Sequence, residues 1–170
     1  MTEFTKKVNQ IVHEATTMFL QTKNTDVLKT NDAGSIATLI KKDRTYVSRY
    51  FNEELKMHNF IKINTRPVLF LDARNFEDYN LDRYEYNSVE DLLQVLINRK
   101  EKSIIQSIIG HHDSMKVPIE QAKTSLAYPN NGLPMIIFGE SGVGKSFFAK
   151  KSMSMQKLKK FLKRMHHLLQ

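Results

Sequence analysis

Cysteine is absent from the 170-residue chain. Disulfides and thiolate metal sites are therefore excluded, and the composition fits a cytoplasmic protein. Long hydrophobic runs are also absent. The longest, Val68–Leu71 and Met135–Phe138, are strand-sized and far short of the roughly 20 apolar residues of a membrane span, so no membrane partner is expected. The opening Met-Thr-Glu-Phe-Thr-Lys-Lys lacks the apolar stretch of a secretion signal. Acidic residues disappear after Glu140. Residues 1–140 hold 18 Lys and Arg against 18 Asp and Glu, whereas residues 141–170 hold eight basic residues and no acid. The net charge of +8 thus belongs to the last 30 residues, and it is no sign of nucleic-acid binding by the rest. The six histidines include two adjacent pairs, His111-His112 and His166-His167. Neighbouring positions do not converge on a metal as i, i+4 pairs do, so all six read as surface or packing residues. Nor do the residues assemble a nucleophile, base and orienting acid.

The apolar content of 41% suffices for a folded core. Phe4, Val8, Ile11, Val12, Ala15 and Phe19 recur at three- and four-residue spacings, which predicts an amphipathic helix. Asn31-Asp32 can start a second helix with Ile36, Ala37, Leu39 and Ile40 as its apolar face. Thr45 can cap a third, carrying Val47, Tyr50, Phe51, Leu55 and Met57. Phe60–Ile63 and Val68–Leu71 then flank Asn64-Thr65-Arg66-Pro67, the pattern of two strands and a turn. Three helices and a two-stranded wing predict a winged helix-turn-helix over residues 1–71. On that expectation Arg44, Thr45, Tyr46, Ser48 and Arg49 start the helix that enters the major groove of DNA, where Arg49 can reach a guanine edge. Lys62 and Arg66 on the wing add phosphate contacts. The alternative is a three-helix mini-domain with a hairpin and no DNA-binding role.

Residues 72–103 read as a connector. Asp72–Tyr86 has no clear period and suggests an irregular linker. Ser88 with Asp91 resembles a helix start, and Val89, Leu92, Leu93, Leu96 and Ile97 form an apolar stripe suited to packing or dimer contact. Residues 104–150 contain the strongest signal. After a helix at Ser114–Ala127 and a loop Tyr128-Pro129-Asn130-Asn131-Gly132, the run Leu133–Phe138 reads as a short buried strand. It leads into Gly139-Glu140-Ser141-Gly142-Val143-Gly144-Lys145-Ser146, which meets the phosphate-loop pattern G-x-x-x-x-G-K-[ST] in full. Such a loop curls so that successive backbone N–H groups face phosphate oxygens. Its lysine reaches the outer phosphates, and its Ser146 hydroxyl ligates magnesium. Hydrolysis also needs an acid on a later strand, and no Asp or Glu follows Glu140. The expectation is a loop for ATP and magnesium without a complete ATPase, with nucleotide binding weakened because one strand and helix bury little surface.

The order of these parts, with Ile109-Gly110, Ile119-Glu120-Gln121-Ala122-Lys123, Tyr128-Pro129, Gly132-Leu133-Pro134 and the loop Gly139–Ser146, resembles the LevR-type bacterial regulators. These are sigma-54-dependent activators of sugar phosphotransferase operons. The resemblance covers about residues 30–150. It implies a mixed fold: a mainly α winged helix-turn-helix domain, a helical connector, and the incomplete start of an α/β AAA+ domain. It implies operator DNA and sigma-54 RNA polymerase as partners for the family, and homo-oligomers. It places Ile109 and Gly110 near the adenine, with Gly139, Glu140, Ser141, Gly142, Val143, Gly144, Lys145 and Ser146 around the phosphates. The second acidic motif, the sigma-contacting loop and the arginine finger of the family are not found.

In their place stands a lysine-rich stretch, residues 151–170, whose Leu158, Phe161, Leu162, Met165, Leu168 and Leu169 form an amphipathic pattern. It reads as a tail translated out of frame: if Ser152 is encoded by a codon ending in T and Ser154 by AGT, a one-base shift at Ser152-Met153-Ser154-Met155 reads Tyr-Glu-Tyr-Ala, a sequence the resemblance places just after the loop. The other reading is a basic tail for nucleic acid or a membrane surface. Two further function classes compete with the regulator: an independent small phosphate-loop nucleotide-binding protein, and a basic-tailed interaction protein.

Overall fold

The computed structural model describes residues 2–22, 24–129 and 132–168, with side chains up to Lys160. Helix predominates, accompanied by one three-stranded sheet. The chain forms two compact units, Met1–Leu92 and Leu93–Gln170. No helix among the described residues is long and apolar enough to cross a membrane.

The first unit begins with α1, Glu3–Thr22. Its buried positions Val8, Val12, Thr16 and Phe19 fall on one face, as the period of 3.6 residues requires. α2, Ala33–Ile40, starts where Asp32 accepts from the backbone N–H of Gly34 at 2.7 Å and of Ser35 at 3.1 Å. It ends at Lys41, which adopts the left-handed conformation (φ 55°, ψ 50°). That conformation normally falls to glycine or asparagine. α3, Arg44–Lys56, is capped by Asp43, whose carboxylate accepts from Thr45 N at 2.7 Å and Tyr46 N at 3.3 Å. The expected cap, Thr45, lies inside the helix. An Asp at this position satisfies two of the free N–H groups of the first turn, which Thr45 two residues later does not reach.

β1, Phe60–Ile63, pairs antiparallel with β2, Leu69–Asp72, Phe60 facing Asp72 and Ile63 facing Leu69. The core of the unit gathers Val8, Val12, Ile36, Val47, Tyr50, Phe51, Phe60 and Phe70. Phe51 and Phe70 stack with centroids 3.9 Å apart, and Phe60 meets Phe51 edge-on at 5.2 Å. Rings of this size contribute about 1.5–3 kcal/mol each on burial, so this cluster fixes α3 against the hairpin.

Residues 72–86 are not the irregular linker expected. A 3-10 segment covers Ala73–Tyr79, and β3, Glu85–Tyr86, pairs parallel with β1 to give the strand order β2-β1-β3. The pairing is carried by backbone: Lys62 N donates to Tyr84 O and Asn64 N to Tyr86 O, both at 2.8 Å. A two-residue strand has no readable alternation, which is why periodicity missed it. The buried Tyr86 ring lies under Arg83, 4.4 Å from its centroid.

Asp72 closes the unit. Its side chain is 1% exposed. It accepts from Arg74 Nη2 at 2.6 Å, from the backbone N of Arg74 at 3.0 Å and from His13 Nδ1 at 2.8 Å. Its own N–H donates at 3.0 Å to the hydroxyl of Thr16 on α1. His13, read from sequence as a surface or packing residue, therefore ties α1 to β2. Burial works to raise the Asp72 pKa. The Arg74 and His13 hydrogen bonds outweigh it and hold the carboxyl below its usual range.

The second unit is helical. α4, Val89–Gln106, starts where Ser88 Oγ accepts from Asp91 N at 3.2 Å, as expected, and leads into this unit. α5, Lys116–Ala127, follows, and α6 runs Lys145–Leu168. Ile108, Ile119, Ala122 and Phe148 form the core cluster, flanked by Ile105, Met115 and Ile137. α6 passes without a break from the glycine loop into the lysine-rich stretch, burying Phe148, Ser152 and Met155 on one side. Lys159 Nζ donates to Lys123 O of α5 at 3.3 Å. The apolar stripe expected beyond Lys160 lies outside the described side chains, as do Asn130 and Asn131 of the expected loop.

The expected buried strand at Leu133–Phe138 is not formed. Leu133, Met135, Ile136 and Phe138 are exposed, Phe138 by 85%, and the segment has no strand partner among the described residues. An isolated extended segment has nothing to hydrogen-bond its backbone, so it does not become a strand by its own propensity.

A carboxyl with a depressed folded pKa stabilises the fold above its unfolded value, near 3.8, and that contribution is lost as pH falls through the folded value. Asp72→Asn should lower the stability of the first unit at pH 7 by roughly 1.5–3 kcal/mol and flatten its acid sensitivity below about pH 4. Urea unfolding at several pH values checks both. Parallel acid profiles for the two proteins would contradict the role given to Asp72.

Candidate nucleic-acid face and nucleotide loop

The face that α3 turns to solvent follows from its core. Val47, Tyr50 and Phe51 point inward, which leaves Arg44, Thr45, Ser48, Arg49, Asn52, Glu53 and Lys56 lining one shallow, open hollow. Four of the five residues expected on this helix, Arg44, Thr45, Ser48 and Arg49, are thus brought together. Asn52, Glu53 and Lys56 extend the face beyond them. Their signal was the i+4 and i+7 spacing from Ser48, Thr45 and Arg49, which continues the same helical face.

Each side chain has its own surroundings. Arg49 is exposed. Arg44 leans back over α2: its Cδ and Nε lie 3.8 Å from where a Cβ on Gly34 would sit. Its charge reaches Asp32. There burial works to raise the pKa, and hydrogen bonds from Ser35 and Gly34, with Arg44, win and hold it low. Tyr46 stands apart from the hollow, 52% exposed, its ring centroid 4.7 Å from that of Phe4 at the start of α1. Its ring packs against the first helix, away from the hollow that its neighbours line. On the hairpin, Arg66 is exposed in the turn before a cis Pro67. Lys62 is half-buried and pairs with Glu85 at 3.2 Å. That contact arises from β3 and was not foreseen. A surface pair of this kind is worth about 0–1 kcal/mol, so it does not prevent Lys62 from turning to a phosphate.

Three residues, Lys41, Lys42 and Asp43, join α2 to α3. Lys42 N donates to Ala37 O at 2.9 Å, which fastens the turn to the end of α2.

In the second unit the glycine loop is exposed from Gly139 to Gly144 and turns into the first residue of α6. Gly142 and Gly144 have φ of 83° and 88°, values that side-chain-bearing residues rarely adopt. Nothing lies within 4 Å of a Cβ built at either position, so conformation and not space requires glycine there. Lys145 folds back into its own loop, its Nζ donating to Gly139 O at 2.8 Å and also to Glu140 O. The ammonium is thereby tied to the first two residues of the loop. Glu140, Ser141, Val143 and the Ser146 hydroxyl are exposed around it.

Ile109 and Gly110 lie in the turn between α4 and α5. Ile109 is 93% exposed, and Gly110, at φ 76°, accepts from Asp113 N and Met115 N at 2.9 Å. Ile108 next to them packs in the same cluster as Phe148, three residues into α6 beyond Lys145. The loop geometry fits a bound phosphate group. The strand that positions such a loop against a sheet is absent among the described residues.

No protein-family profile matches the chain, and no solved structure matches it. Two curated proteins are similar to it. One is the transcriptional regulatory protein LevR of Bacillus subtilis (strain 168), 31% identical over 154 residues, which cover 85% of this chain and 16% of that protein. The other is the transcriptional regulatory protein DagR of Salmonella typhimurium (strain 14028s / SGSC 2262), 32% identical over 111 residues, 62% of this chain and 12% of that protein. The chain therefore spans less than one-fifth of the length of either relative, and over most of its own length it is similar to a transcriptional regulator.

Proposed function

We propose that the chain is a DNA-binding transcriptional regulator of the LevR type and that its first unit is a winged helix-turn-helix domain. The observation that carries this reading is the outward face of α3. Three basic side chains, two hydroxyls and an asparagine are gathered on one exposed face of a helix whose other face is locked into an aromatic core. A helix so anchored enters the major groove, where Arg49 offers a fork to guanine and Asn52 an amide to adenine. Arg66, Lys62 and the end of the hairpin lie where a wing meets the backbone. Two such domains on a two-fold axis would read paired half-sites, consistent with a homo-oligomer. The similarity to transcriptional regulatory proteins named LevR and DagR supports a role in transcription regulation; sugar-operon control with sigma-54 RNA polymerase as partner is the extension of this proposal that the LevR-type resemblance of the sequence motifs suggests.

The second unit, in this proposal, presents the loop Gly139–Ser146 to ATP. Its N–H groups and Lys145 would face the phosphates, Ser146 the magnesium ion, and Ile109 with Gly110 the adenine. What is proposed for this loop is nucleotide binding.

Selection of duplexes from a random pool tests the first part. The protein should enrich a defined sequence, and Arg49→Ala should weaken binding to it by about 1–3 kcal/mol with relaxed preference at one position. Enrichment of nothing, or an Arg49→Ala protein that binds as before, would overturn it. Titration with a fluorescent ATP analogue and magnesium tests the second. Binding should vanish in Lys145→Ala, and binding that survives this change would place the nucleotide elsewhere.

A further inference from the structure

We infer that Lys41 and Lys42, in the turn between α2 and α3, form a phosphate anchor that grips the DNA backbone without reading sequence. This rests on the DNA-binding reading of the first unit. Three observations carry it. Lys41 occupies a left-handed position, φ 55°, where glycine or asparagine is the less strained choice, and the residue here is a lysine. Both lysines are exposed, and neither has a carboxylate within ion-pairing distance among the described residues. The nearest acid in sequence, Asp43, is engaged by the N–H groups of Thr45 and Tyr46, and Asp32 faces Arg44. Two adjacent positive charges without an ion-pair partner among the described residues therefore stand at the entrance to α3, ahead of Arg44 and Thr45.

With α3 in a groove, a turn at its N-terminal end carrying two long, flexible ammonium side chains is suited to the phosphates that flank that groove. Contacts of this kind set the register of the helix and apply equally to every sequence. The division of labour is thus Lys41 and Lys42 on the backbone, with Arg49 and Asn52 at the base edges.

The test uses the full chain and a 30-base-pair duplex of mixed sequence, with affinity measured across a salt series. Lys41→Asn with Lys42→Gln removes both charges, and asparagine tolerates the left-handed conformation. Each phosphate contact contributes about 0.9 to the slope of log affinity against log salt. The double variant should lose about 1.8 of that slope while its melting temperature is unchanged. Lys41→Arg with Lys42→Arg should keep the slope. An unchanged slope in the neutral variant, or equal loss in the arginine variant, would overturn the anchor while leaving DNA binding intact. Absence of salt-dependent binding by the unsubstituted protein would overturn the DNA-binding reading, and the anchor with it.

Discussion

A buried carboxylate holds the first unit together. Asp72 ends β2, and its two oxygens accept from His13 on α1 and from the backbone and guanidinium of Arg74, while its N–H reaches Thr16. A charge taken out of water is costly unless its lone pairs are filled, and here both oxygens are engaged. The consequence is geometric. The end of the hairpin, the middle of α1 and the start of the 3-10 segment are fixed at one point, and the aromatic cluster of Phe51, Phe60 and Phe70 sits alongside it.

From that point the exposed face of α3 is determined. The helix can bury only the side carrying Val47, Tyr50 and Phe51, so Arg49 and Asn52 must face water or a partner. The three-residue turn before α3 is equally constrained, since Lys42 N and the left-handed Lys41 close the carbonyls at the end of α2. Rigid placement of few polar groups on a packed helix is what recognition of a groove requires. In the second unit a different solution applies. There Lys145 bonds to the carbonyls of Gly139 and Glu140 in its own loop, and most of the apolar run before the loop stays exposed.

Much of the first unit was legible in the sequence. The spacing of Val8, Val12 and Phe19, the Asp32 cap and the two strands around Arg66 each follow from local rules of period and turn chemistry. What was hidden depends on contacts between distant residues. Nothing near Asp72 in sequence points to His13, 59 positions away, and the pairing of Glu85–Tyr86 with β1 is too short to show a pattern. Tyr46 shows a contact of the same hidden kind: 52% exposed on α3, its ring also packs against Phe4 of α1. The run Leu133–Phe138 had strand composition, yet strand formation needs a neighbour that composition does not supply. The glycine loop was fully legible because its requirement is local, a positive φ at Gly142 and Gly144.

The most direct test of this account is a map of backbone amide chemical shifts of the full chain during titration with a mixed-sequence DNA duplex. Shift changes should concentrate on residues 41–56 and on the turn around Arg66, with the glycine loop unmoved. Changes confined to α6, or none in the first unit at any duplex concentration, would contradict it.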